Sequence, residues 1–438
     1  MRHCTGAVEL ITAFVAAVVG GLALTTPISL ALVAHGTATV QMQLLAHNMP
    51  RATAIGFIVA VMAAVFTYTA DSAVVAWLVA LFGTFVLLTN HMLGRSFSSL
   101  APLTTLNDID SLAGGMLLGG LMTAAQRHMV YAGAATLGAL TSIVIGDLSV
   151  PGIGHPAEPE EPAGLVTDSP PLWLLWPTVA LVLICTLLHR HRRRESVIAV
   201  ELPLRPIIAV LLTMLITLGS SEWLVRRGST LFEVLLVAAI TVVTVLVAAL
   251  LLPGRDGVIV VLSAAIAAAG GAILMTGLSG WTVPLLIGAT VGGMMLGLYR
   301  PMPMAGLAAT AILSAFATAA ARPEGLTPAA TITGCLALAL ITGYCFGTAQ
   351  PIQSPSKVLA LSLLFVPGVV VALRGRIFGG ELDIPRGYAN PDRLLATVPG
   401  LTAILITGGC TLVVMLLYRL RTEESEAESA DAARPAAR

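Results

Sequence analysis

The chain consists of long apolar runs separated by short polar punctuation, and most of the runs reach the length of a bilayer. About 20 mostly apolar residues cross the hydrocarbon core as a helix, with a range of roughly 17–25. On that rule the pattern predicts helices near 8–33, 53–69, 72–90, 110–126, 129–148, 172–189, 205–221, 231–252, 257–278, 281–299, 303–321, 327–347, 357–374 and 396–418. That is about 14 spans, with 12–14 as the range because several are short and glycine-rich. The run 110–126 is the least apolar, since Asp108 and Asp110 stand at its start. The first run shows no small-residue cleavage site and is expected to be a retained span rather than a signal peptide.

Composition changes this picture only by removing alternatives. Of 438 residues, 57% are hydrophobic and 11% charged, against roughly 25% charged in soluble domains. The fold class is therefore an all-α polytopic membrane protein. The 23 basic and 23 acidic residues cancel, which removes the electrostatic case for a nucleic-acid partner. Lys357 is the single lysine among the basic residues, and with the Ala, Gly and Val richness this fits a GC-rich bacterial genome. Cys4, Cys185, Cys335, Cys345 and Cys410 mostly sit in apolar runs without metal-ligand spacing, so neither disulfides nor a metal or cofactor is expected.

Orientation follows the basic residues of short loops. The cluster His189 to Arg194 assigns its loop, and with it both termini, to the cytoplasmic side of the inner (plasma) membrane. The four arginines between 374 and 393 argue the other way. Trp173, Trp176, Trp223 and Trp281 all fall on the outer side in this topology, where aromatic residues favour the interface. Residues 151–171 are proline-rich and acidic and read as an extended external loop. Residues 374–395 carry turn signals of a small external cap, and the acidic tail 422–438 reads as disordered.

Ionisable groups inside a span are costly and mark function by default. The candidates are Asp71, Asp110, Asp147 and Glu233, with Arg95 and Arg300 near helix ends. One carboxylate could couple proton flow to transport. Against that, Asp71, Asp108 and Asp110 precede apolar runs and suit N-caps, and Arg300 can snorkel to the surface. His91 and His128 suit satisfied polar roles near the interfaces. Gly115-Met-Leu-Leu-Gly119 is a small-xxx-small motif that allows close helix approach. No P-loop, His-Glu-x-x-His or nucleophile elbow is present, and no enzyme activity is expected. Asp108-Ile109-Asp110 is the nearest approach to an acidic metal pair of the polyprenyl-phosphate glycosyltransferase kind.

This layout resembles the fourteen-span drug–proton antiporter branch of the major facilitator superfamily. Its loop motif between spans two and three is echoed by Thr69-Ala70-Asp71-Ser72, without the following basic residues, and in the second half by Gly297-Leu298-Tyr299-Arg300. The span-four register offers Asp110 and Gly114 where the family has arginine and glycine, and Gly133 to Gly146 echoes the glycine-rich fifth span. The resemblance implies two six-helix halves plus two extra spans. Their expected bounds are 1–195, 196–256 for the extra pair, and 257–421. It also implies an exporter of amphipathic or lipid-like small molecules working by alternating access. Two other readings stand beside it: a non-transporting scaffold that meets cell-envelope protein partners, and a membrane-embedded enzyme or flippase acting on lipid-linked sugars.

Overall fold

The computed structural model describes residues 2–26, 39–96, 103–149, 170–190, 203–227, 230–254, 256–273, 281–321, 326–373 and 393–432. Among these, fifteen helices and no strand occur. In chain order they are α1 (Arg2–Thr25), α2 (Thr39–Thr69), α3 (Ala73–Ser96), α4 (Leu103–Ala125), α5 (Met129–Ser149), α6 (Leu172–His189), α7 (Leu204–Arg227) and α8 (Leu231–Leu251). They continue as α9 (Asp256–Ile273), α10 (Thr282–Tyr299), α11 (Pro303–Ala320), α12 (Pro328–Thr348), α13 (Ser354–Phe365), α14 (Val369–Ala372) and α15 (Arg393–Ala432). A chain that must satisfy its own backbone in hydrocarbon is limited to helices or a closed barrel.

Thirteen stretches among the described residues are helical, long and apolar enough to cross a membrane, so this is a multi-pass membrane protein. The helix outside that set is α4, whose apolar content is diluted by Asn107, Asp108 and Asp110. It still measures about 34 Å at 1.5 Å per residue. It is enclosed by α1, α2, α3, α5 and α13. A helix walled in by helices has little need of an apolar outer face.

Short turns make the helices alternate in direction, giving two ends. The basal end carries Asp71, Arg127, Arg300 and Pro351; the apical end carries Trp173, Trp281 and the start of α8. Trp173, Trp176 and Trp281 are exposed there, as interfacial aromatics would be.

The pairing of helices repeats. In the first six, α1 packs on α4, α5 and α6, α4 on α2 and α3, and α3 on α6. The same pairings recur when α9, α10, α11, α12, α13 and α15 are read in that order. The two sets meet where α2 and α4 touch α13 and where α5 touches α10 and α12. Each set owns one very close pair. A Cβ on Gly115 or Gly119 of α4 would run into the carbonyl oxygens of Gly56 or Ala60 on α2. On α10 and α12, Gly293, Gly297, Gly343 and Gly347 meet the facing backbone in the same way. Small residues at four-residue spacing permit this backbone contact.

Several boundaries differ from the sequence expectation. The described part of α1 ends at Thr25 instead of continuing to 33, with 27–38 outside the described residues. At the apical end α2, α3 and α4 are longer than their apolar cores, because polar residues there find partners on neighbouring helices. α15 runs to Ala432, into the stretch expected to be disordered, where alanine and glutamate are good helix formers. The expected span 357–374 is broken: α13 ends at Phe365, and Val366-Pro367-Gly368 separate it from α14. Proline has no N–H for the preceding turn. The loops 151–169 and 374–392 lie outside the described residues.

Candidate functional site

Two polar clusters and one cavity stand out, one cluster at each end and the cavity between the helix sets. The apical cluster grows from α2, α3 and α4. Asp110 is fully buried on α4. Its Oδ1 accepts from Asn90 Nδ2 at 2.7 Å, and His91 Nε2 lies 2.8 Å from its Oδ2. The second amide hydrogen of Asn90 goes to Leu106 O at 2.9 Å. Charge-assisted bonds of this length offset the large cost of a buried carboxylate. Two residues earlier on α4, about half a turn away, Asp108 Oδ1 accepts from Asn48 Nδ2 at 2.8 Å. The carboxylates are therefore clamps between helices inside α4, and neither is the N-cap expected from the sequence, because α4 begins at Leu103.

Beside this cluster α7 is tied to both helix sets by adjacent residues. Glu222 takes a 2.6 Å bond from Arg51 of α2 and is also paired with Arg226. Ser221 Oγ donates to Pro367 O, in the break of the second set, at 3.4 Å.

The basal cluster holds the loop before α13. Asp256, the first residue of α9 and 1% exposed, accepts from the backbone N–H of Ile352 at 2.8 Å and of Gln353 at 3.1 Å. Gln126, the residue after α4, donates through Nε2 to Pro351 O at 2.8 Å, and the hydroxyls of Thr123 on α4 and Ser354 meet at 2.9 Å. Lys357, one turn into α13, is 2% exposed and makes no hydrogen bond or close ion pair among the described residues. Asp256 is the charge that acts on it.

The cavity lies at the helix break and measures about 220 Å³. Its walls are Leu140, Ile143 and Val144 of α5, with residues of α9, α10 and α12 and the chain from Leu364 to Gly368. Among the described residues, Thr290, Cys335 and Thr342 supply the polar side chains and no charged residue lines it. A smaller space of about 40 Å³ touches the other side of the break, lined in part by Thr213, Thr217, Thr241 and Thr244 of α7 and α8. Phe365, in the break wall, stacks at 5.0 Å on Phe57 of α2.

The remaining sequence candidates are scattered. Asp71 sits in the α2–α3 turn with φ 42°, a left-handed conformation that aspartate tolerates, and lies 3.5 Å from Arg127 with its side chain largely in solvent. Glu233 closes a capping box with Thr230 at the start of α8. Arg300 ends α10 exposed, its carbonyl accepting from Tyr344 Oη at 3.0 Å. Arg95 and Asp147 fall in the last turns of α3 and α5, and their side chains lie outside the described residues. Of the four candidates whose side chains are described, Asp110 alone enters either polar cluster. The sequence reading passed over Asn90, Glu222, Asp256, Lys357 and Thr342. For the break, the dipeptide Pro367-Gly368 inside an apolar run was the available signal. Cys185, Cys335, Cys345 and Cys410 are buried and form no disulfide among the described residues, and no group of metal-ligating side chains occurs among the described residues.

The chain matches no protein-family model and no curated protein sequence.

Proposed function

We propose that this chain is a secondary transporter of the inner membrane that moves a small, mostly apolar molecule by alternating access. The cavity at the interrupted helix, between the first six helices and the later set, carries this reading. Transporters of inverted or repeated architecture bind substrate near the bilayer midplane at the repeat interface, beside discontinuous helices. The recurrence of one pairing pattern supports two six-helix halves of the major facilitator kind, with α7 and α8 as the extra spans. Positive-inside bias supports cytoplasmic termini, which makes the basal end the inner one.

Alternating access requires contacts that open at one end while the other stays shut. The ties of Gln126 and Thr123 to the loop before α13 supply such a closure at the basal end. Those of Ser221 and Glu222 supply it at the apical end. Flux of a panel of small dyes, neutral and cationic, in proteoliposomes, with and without an imposed pH gradient, tests the proposal. Saturable, gradient-dependent flux is expected; absence of flux for the whole panel would favour the scaffold.

A further inference from the structure

Thr342 marks the ligand that the cavity selects. Its side chain lines the cavity and is 8% exposed, yet its hydroxyl has no hydrogen-bond partner among the described residues. Thr290, on the closely packed α10, already donates to Leu286 O at 2.9 Å and can only accept from a ligand. Thr342 can therefore donate or accept, and it is the free hydroxyl in an otherwise apolar wall. The broken helix adds acceptors nearby, because the last carbonyls of a helix lack intrahelical partners.

Charge and size narrow the class. No charged side chain among the described residues lines the cavity, and burying an ion there without a counter-charge costs far more than one hydrogen bond returns. An apolar cavity of about 150 Å³ accommodates benzene. A space of about 220 Å³ fits a ring with one or two small substituents and excludes a two-chain lipid.

We infer that the cavity binds an uncharged, compact, largely apolar molecule with a single hydrogen-bonding group, anchored on the Thr342 hydroxyl. Calling that molecule the substrate rests on the transporter reading; the binding itself does not.

Three probes of one shape test it: p-cresol, toluene and benzylammonium, with the full chain in lipid nanodiscs. Ala339→Phe fills the cavity and corrects for partition into lipid. Saturable binding of radiolabelled p-cresol at one per chain is expected in the wild type and absent in Ala339→Phe, with benzylammonium failing to compete. Thr342→Val, which keeps the shape, should weaken p-cresol by roughly three- to tenfold and leave toluene unchanged. Thermal unfolding and gel filtration establish that each variant is folded, and if Ala339→Phe is not, Thr342→Val decides alone. No saturable p-cresol binding, equal competition by benzylammonium, or equal weakening of p-cresol and toluene in Thr342→Val would each overturn the inference. Binding without flux would keep the site and remove the transporter. Flux of a cationic dye without p-cresol binding would do the reverse.

Discussion

The two buried carboxylates, Asp110 at the apical end and Asp256 at the basal end, solve one problem in different ways. Asp110 is satisfied by side chains of α3, its neighbour in the same helix set. Asp256 is satisfied by main-chain N–H groups of the loop before α13. The first locks two helices whose faces stay together in any rigid-body motion of the set. The second holds a connector that Gln126 and Thr123 of the other set also grip. A carboxylate fixed by helix side chains serves stability; one that fixes a loop at the meeting of two sets can serve movement.

The largest effect is expected from Asp256→Asn. It weakens two charge-assisted bonds to the loop and removes the opposite charge that acts on buried Lys357, together a loss of about 3–5 kcal/mol at roughly 1.5–3 kcal/mol per charge-assisted bond. Adding Lys357→Met should recover more than half of the lost thermal stability, measured in nanodiscs. No recovery would show that the loop bonds, and not the charge on Lys357, dominate. Asp110→Ala should cost about 2–3 kcal/mol by stranding Asn90 and His91, while Asp110→Asn costs less. If the clamp is static, the active fraction of folded Asp110→Asn protein keeps wild-type flux. A flux loss at full stability would erase the contrast with Asp256.

Arg51→Gln should cost at most about 1 kcal/mol, because the pair with Glu222 is partly exposed and screened. Its sharper readout is the rate at which Cys335, in a background lacking the other cysteines, reacts with a maleimide added from the apical side. Faster labelling is expected, and an unchanged rate would remove this pair from the closure. The smallest effect belongs to Glu233→Gln, a few tenths of a kcal/mol from one side of a capping box. Wild-type pH dependence of flux should accompany it. A large pH effect would return Glu233 to the mechanism.

The apolar runs made the helices legible, since bilayer length is written directly in sequence, and the glycine motif of α4 marked a close helix approach without naming α2 as the partner. The sites were far less legible. Asp110 reads as the start of a span because hydropathy discounts a carboxylate, whereas the helix begins at Leu103 once Asn48, Asn90 and His91 supply partners. Lys357 reads as a loop charge, and nothing nearby in the chain announces Asp256, which lies a hundred residues earlier. Thr342 is one of many threonines in spans, and only the cavity distinguishes it. The break at Pro367-Gly368 hides because the residues on both sides remain apolar, and hydropathy sees a continuous run.

Ser221 and Glu222 are neighbours on α7, yet they hold partners made far apart in time. Chains emerge from the ribosome from the N-terminus onward. α2 is therefore in the membrane when α7 arrives, and Glu222 can engage Arg51 at once. Pro367 is synthesised 145 positions after Glu222, and its carbonyl meets a hydroxyl already fixed in place. The inserted pair α7–α8 thus gives the biogenesis of this protein an order, in which the last helices assemble against a surface that the middle of the chain has already completed.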